Sequence, residues 1–305
     1  MDPIIPRDLI QHLEWKPGQE IPPLPAGNPA SREQGNVFSI DTLIKSGKPF
    51  YSEEKDSNNN WIGVAVSLRQ AAAHAGTDGI VASLPYLLAG KVKADKSNYL
   101  WKTWLTALSE ENVGISEGRI PGVAEAGEPV LAVVHGGGVL RTYDRIMKAY
   151  ADGLTPQNAA KLAEEEFNNS IKGKFEKDIP VYTVDDLKNG INPFGRYVIL
   201  VNYETAKATK SGYHSKPEFM NNDLVIARAG TLEYLDEYFE KAKGNSGDAK
   251  DKVGSWHRFA EIDPQQPQGR VLFLDGNYDG LYGYDNLYYD GRFVGVAPEA
   301  HGAKK

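Results

Sequence analysis

The segment 129–140, PVLAVVHGGGVL, carries the clearest pattern in the chain. Val130, Leu131, Val133 and Val134 form an unbroken apolar run, which predicts a strand buried on both faces rather than one with a wet side. The run enters His135-Gly136-Gly137-Gly138. Thr142 then stands where a helix N-cap belongs, ahead of Ile146, Met147 and Tyr150 at helical spacing. Residues 197–201 (YVILV) and 224–227 (LVIA) repeat the apolar run and predict two more buried strands. The second leads through Gly230 and Thr231 into a helix with Leu232, Leu235 and Phe239 inward.

Other segments follow helical or alternating periods. Leu100, Trp101, Trp104, Leu105 and Leu108 share one face if residues 99–110 form a helix. Ile62, Val64, Val66 and Leu68 alternate as in a strand, whereas residues 69–75 read as helix, so both readings stay open there. Thr155-Pro156 places a cap and an N1 proline before Ala159, Leu162, Ala163 and Phe167, predicting another helix. Residues 179–184 read as a strand, 185–188 as a helical turn and 91–97, with three lysines, as a solvated loop. After residue 253, Trp256, Phe259 and the stretches 271–274 and 293–296 are separated by Asp275-Gly276, Asp279-Gly280 and Asp290-Gly291, which predicts β-hairpins. The sum is an α/β fold: a mixed sheet over roughly residues 130–243 with helices on its faces, a helical N-terminal layer and C-terminal β-hairpins.

Residues 1–30 hold seven prolines and predict an extended arm. Ile4, Ile5, Leu9, Leu13 and Trp15 suit an arm that packs on the body or joins a homo-oligomer; a mobile leader is the plainer alternative. Residues 31–305 then read as a single α/β unit whose segment from about residue 253 is rich in strands.

Composition narrows the class of function. A net charge of -7 argues against a nucleic-acid binder, which needs clustered positive charge. With no cysteine, thiolate catalysis, disulfides and cysteine-ligated metals are excluded. The start MDPIIPRDLI is not a secretory signal as it stands, and no apolar run approaches the ~18 residues of a membrane helix. The default expectation is a cytoplasmic protein with no membrane partner.

Candidate chemistry centres on the glycine loop. Three glycines at a strand-to-helix turn let backbone N–H groups face an anion, and the helix dipole adds positive potential. Gly136, Gly137, Gly138 and Thr142 are the candidate ligand-binding residues, with His135 as acid–base or oxyanion group. The same residues serve equally well as a tight packing turn. The strand with HGGG resembles the first glycine loop of the amino-acid kinase family, which holds nucleotide phosphates, and Asn277–Tyr282 resembles that family's later D-G-x-Y segment. That family opens with a strand ending in lysine and glycines, and no such strand precedes His135 here. Residues 114–118 match G-x-S-x-G, but an acidic segment precedes the first glycine and the HGGG comes later than the serine, opposite to the hydrolase order.

Asp275, Asn277 and Asp279 fit the first half of a calcium loop, D-x-N-x-D-G. Position twelve is Asn286 instead of glutamate, so plain Asp-Gly turns are the simpler reading and calcium the one cofactor suggested. Tyr278, Tyr282, Tyr284, Tyr288 and Tyr289, interleaved with Asp and Asn, could stack on a ligand or cover a strand surface. No two histidines stand at metal-site spacing, and Trp256-His257-Arg258 is a lesser candidate site. The leading expectation is an enzyme acting on a small phosphate- or carboxylate-bearing substrate at the glycine loop. Its rival is a non-catalytic interaction or assembly protein using the arm and the tyrosine-rich hairpins, with calcium stabilising the latter.

Overall fold

The computed structural model describes residues 39–244, 249–276, 279–283 and 287–298. The proline-rich arm, Asn277, Tyr278 and Tyr284 lie outside the described residues. The elements run α1 (Ile40–Ser46), β1 (Lys48–Ser52), α2 (Gly63–Ala75), β2 (Ile80–Val81), α3 (Leu84–Lys93), α4 (Tyr99–Lys102), β3 (Leu105–Ile115), β4 (Pro129–His135), α5 (Tyr143–Asp152), β5 (Ala160–Lys161), α6 (Glu164–Ile171), β6 (Val181–Thr183), α7 (Val184–Lys188), β7 (Tyr197–Asn202), α8 (Tyr203–Ala208), β8 (Gly212–His214), α9 (Lys216–Met220), α10 (Asp223–Ala229), α11 (Leu235–Ala242), β9 (Val253–His257), β10 (Gln268–Leu274), β11 (Leu281–Gly283) and β12 (Gly291–Val296). Among the described residues no helix is long and apolar enough to cross a membrane.

The fold is α/β. The large mixed sheet has the order β6-β7-β4-β3-β10-β11-β9-β8, and a second, antiparallel sheet has the order β1-β12-β2. Strand β4 is covered on both faces, as its apolar run requires. Leu131 and Val133 pack with α3 and α10, whereas Val130, Ala132 and Val134 pack with Phe167 and Ile171 of α6. Thr142 caps α5, its Oγ1 accepting the Arg145 N–H at 3.2 Å.

Several expected elements take another form. Residues 99–110 do not form one helix: α4 ends at Lys102, and β3 begins at Leu105. Seven consecutive residues of β3 pair with β4, and long-range ladders of this kind outweigh local helical spacing. The sheet therefore extends beyond residues 130–243, with β3 and β10 near its middle. Residues 224–227 are helix α10, capped by Asn222 and ended by Gly230 in the left-handed conformation. Residues 63–75 are wholly helical, and residues 155–158 close a turn, the next helix starting at Glu164. Asp275–Gly280 joins the antiparallel pair β10–β11, while β12, after Asp290, leaves for the small sheet beside β1 and β2.

Strand β3 carries an unusual load of polar groups into the core. Odd positions face α3 and α10, even positions face the glycine loop and α6. Ser109 and Glu111 lie on the first face, Glu110 and Asn112 on the second, and all four are buried.

Candidate functional site

The glycine loop follows β4. Gly136 and Gly137 have φ of +76° and +95°, where residues with a Cβ are strained. The loop does cradle a carboxylate, but it is the chain's own. The N–H groups of Val139 and Leu140 donate to Glu110 Oε1 and Oε2, both at 2.7 Å, and Asn112 Nδ2 donates to Oε1 at 2.7 Å. A Cβ on Gly138 would collide with that carboxylate. Burial raises the Glu110 pKa, while these hydrogen bonds pull it back down. Arg196 Nε closes the loop by donating to Gly137 O at 2.5 Å.

His135, expected as an acid–base group, is fully buried. Its Nε2 lies 2.8 Å from the Ala227 carbonyl, which can only accept, so Nε2 carries the proton. Nδ1 then accepts from the Ser109 hydroxyl at 2.9 Å, and Ser109 Oγ accepts the Leu84 N–H at 2.9 Å. Both ring nitrogens are thus spent tying β4 to α10 and β3. Gly136 and Gly137 are packed with it, and only Gly138 and Thr142 of the expected set reach a cavity, of about 270 Å³, beside the loop.

Burial holds the His135 pKa down, at about 4 against 6.5. The unfolded chain therefore binds this proton first, so stability is whole above pH 6.5 and falls as pH drops toward 4, by roughly 2–3 kcal/mol. His257, pushed down to about 4 chiefly by burial, acts in the same direction. Urea unfolding at pH 7 and pH 4.5 should show the loss, and His135→Gln should lessen it. Equal acid losses in both proteins would assign the effect elsewhere.

At the expected calcium loop, Lys91 stands where a cation was sought. Far from being in a solvated loop, it is fully buried near the end of α3. Its Nζ donates to Asp279 Oδ1 at 2.5 Å and to the Asp275 carbonyl at 3.1 Å. Among the described residues no three His, Asp or Glu side chains gather as a metal site.

The described tyrosines of the C-terminal cluster fall in two places: Tyr282 lies buried in a row of rings across the sheet, and Tyr288 and Tyr289 lie beside Trp61. Tyr213 of β8 meets Trp256 of β9 edge-on at 5.0 Å. Trp256 stacks on Tyr282 of β11 at 4.4 Å, and Tyr282 stacks on Phe273 of β10 at 4.6 Å. Four rings thus cross four adjacent strands. Gly254 and Gly280 leave room for the Trp256 ring, since a Cβ at either would enter it. Phe273 pairs with Thr106 of β3, whose Oγ1 accepts the Arg292 N–H at 3.0 Å. The Arg292 guanidinium lies 4.7 Å from the rings of both Tyr51 and Trp104. Tyr288 and Tyr289 are 44% and 53% exposed, and Tyr289 approaches Trp61, whose ring carries Lys55 at 4.2 Å. Sequence reading singled out the tyrosines and Trp256; it missed Tyr51, Trp61, Trp104, Tyr213, Phe273 and Arg292, which lie far away in the chain and carry no shared motif.

No protein-family model matches the chain, and no curated protein does. A solved chain described as "Accommodation of massive sequence variation in Nanoarchaeota by the C-type lectin fold" is similar, with a TM-score of 0.60 and 25% identity over 83% of this chain and 99% of that one. The fold resembles the C-type lectin fold over most of its length.

Proposed function

We propose that this protein is a non-catalytic binding protein, whose ligand surface is the aromatic and polar face built by its C-terminal segments on a C-type-lectin-like frame. The row Tyr213–Trp256–Tyr282–Phe273 carries the reading: the buried Tyr282 ring holds the partly exposed Trp256 and Phe273 on either side, and Tyr213 abuts Trp256, so the exposed edges of the row are rigid and have little entropy to lose on binding. Exposed Tyr288 and Tyr289, beside Trp61, add rings suited to sugars or a protein partner. The solved chain of similar fold is described as accommodating massive sequence variation, and the present chain has a matching division of labour. Its frame is held by buried groups, namely Glu110, His135, the Glu111–Arg228 pair and Lys91–Asp279, whereas Tyr288 and Tyr289 stand outside them and can change without disturbing the frame. An enzymatic site at the glycine loop loses its support because the N–H groups of Gly136, Val139 and Leu140 and both His135 nitrogens are occupied.

The test is a screen of the full chain against a glycan array and a displayed peptide library, repeated with Tyr288→Ser/Tyr289→Ser. Binders should lose at least about tenfold in affinity, the scale of an aromatic hot spot, with the melting temperature unchanged. Binders indifferent to both tyrosines and to Trp256→Ala would place recognition on another surface.

A further inference from the structure

The cavity beside the glycine loop shares no wall residue with the aromatic row. Its walls include Gly138, Arg141, Thr142, Arg145, Lys174 and Glu176, and it encloses about 270 Å³. It opens at the N-terminal end of α5, where the helix dipole favours negative charge. Two guanidinium groups converge there on one carboxylate. Arg141 Nη2 lies 2.5 Å from Glu176 Oε1, and Arg196 Nη1 lies 3.4 Å from Glu176 Oε2. Arg196 is held from behind by the ring of Phe175, another wall residue, 4.5 Å from its guanidinium carbon. Arg145 holds Glu166 with Nε and Nη2, at 2.8 and 2.9 Å.

Donors remain unused in this arrangement. Arg145 Nη1 and Arg196 Nη2 are buried and have no hydrogen-bond partner among the described residues. The Arg196 side chain is only 6% exposed, so an unanswered donor on it is costly and calls for an acceptor. Glu176, in contrast, is 61% exposed and free to swing outward. Lys174 pairs with Asp178 and Arg145 with Glu166, so Glu176 is the exposed carboxylate that Arg141 and Arg196 share, while Arg196 also faces the buried Glu110. Moving that carboxylate away uncovers the Arg141 guanidinium in the cavity wall and releases Arg196 Nη1, next to the wall residue Phe175, for another acceptor.

We propose that this cavity is a binding site for a small oxyanion, phosphate- or carboxylate-bearing, which displaces Glu176 from between Arg141 and Arg196 and reaches the unused donors. Glu176 is the built-in competitor that fills the site when no ligand is present. Guanidinium forks suit both anions, since each offers paired oxygens in the plane of the N–H groups.

The experiment is calorimetric titration of the full chain with inorganic phosphate and, separately, with citrate, at constant ionic strength in chloride. Wild type, Glu176→Gln, Arg141→Gln and the double variant are compared, with melting curves to show that each is folded. Glu176→Gln should bind one equivalent of at least one oxyanion about tenfold more tightly than wild type, and Arg141→Gln in that background should weaken binding by about tenfold or more. Binding of phosphate alone or of citrate alone identifies the oxyanion and supports the site. Absence of saturable binding of either anion by Glu176→Gln, or binding untouched by Arg141→Gln, overturns it.

Discussion

Glu111→Ala is expected to destabilise the protein by about 3–5 kcal/mol, the cost of leaving a buried charge without its partner. Glu111 and Arg228 are both fully buried, on the middle strand β3 and on α10. Arg228 Nε donates to Glu111 Oε1 at 2.7 Å and Nη2 to Oε2 at 3.2 Å. Its Nη1 also donates at 3.0 Å to Ser255 Oγ and to the carbonyls of Trp256 and Leu281. The guanidinium therefore braces the two strands that carry Trp256 and Tyr282, and Glu111 is the charge that makes its burial tolerable. Replacing the pair together, as Glu111→Leu/Arg228→Met, should recover only part of the loss, because it removes the stranded charge but leaves Ser255 Oγ and the Trp256 and Leu281 carbonyls without the Arg228 donor. Urea midpoints of Glu111→Ala, Glu111→Leu, Arg228→Met and the double variant decide it. A loss below about 1 kcal/mol in Glu111→Ala would mean that water or another acceptor already serves Arg228.

How far the fold could be read from sequence depended on whether the decisive partner was local. β4 and β7 were legible because a strand buried on both faces advertises itself as an unbroken apolar run. α5 was legible because its cap, Thr142, and its stop, Gly153, adjoin it. Residues 224–227 misled because a helix buried all round loses its polar stripe, leaving a run of apolar side chains that looks like a strand. Asn222 and Gly230 were the available corrective, a cap and a left-handed stop at helical separation. Residues 109–112 misled more deeply. Ser-Glu-Glu-Asn reads as a wet helix end, yet it crosses the core as a strand because Glu111 meets Arg228 from 117 residues away and Glu110 meets the glycine loop from about thirty away. No short-range pattern reports such pairs. At the glycine loop the expected anion contacts lay on Gly136–Gly138, whereas the N–H groups of Val139 and Leu140 hold the chain's own Glu110, a partner about thirty residues away that no local pattern ties to the loop. The tyrosines were visible as a cluster, but the other rings arrive from β1 and the loop after it, from Trp104 just before β3, and from β8 and β10.

Lys91→Met should both destabilise the chain, again by about 3–5 kcal/mol, and loosen the turn between β10 and β11. Methionine replaces the buried stem of the lysine at similar volume, so the effect isolates the ammonium. Burial presses the Lys91 pKa down, and the Asp279 carboxylate opposes that by favouring the charged form. The ammonium also holds the Asp275 carbonyl and lies 4.9 Å from the Trp101 ring centre, so it fixes both ends of the turn against α3 and α4. Tyr238 of α11 adds a third tie, donating to the Asp279 carbonyl at 2.7 Å. Without the ammonium, the Asp279 carboxylate is left buried with its countercharge gone, and the turn lowers its energy by moving that carboxylate toward water. Because the turn leads directly into β11, this motion carries Tyr282 away from Trp256 and Phe273. Hydrogen exchange should accelerate at residues 279–283 in Lys91→Met far more than in β4, and ligand affinity at the aromatic platform should fall with it. Asp279→Asn in the Lys91→Met background removes the stranded charge and should restore part of both stability and protection. Exchange that accelerates uniformly over the whole sheet would show that Lys91 supports global stability only, and that the platform does not depend on this buried clamp.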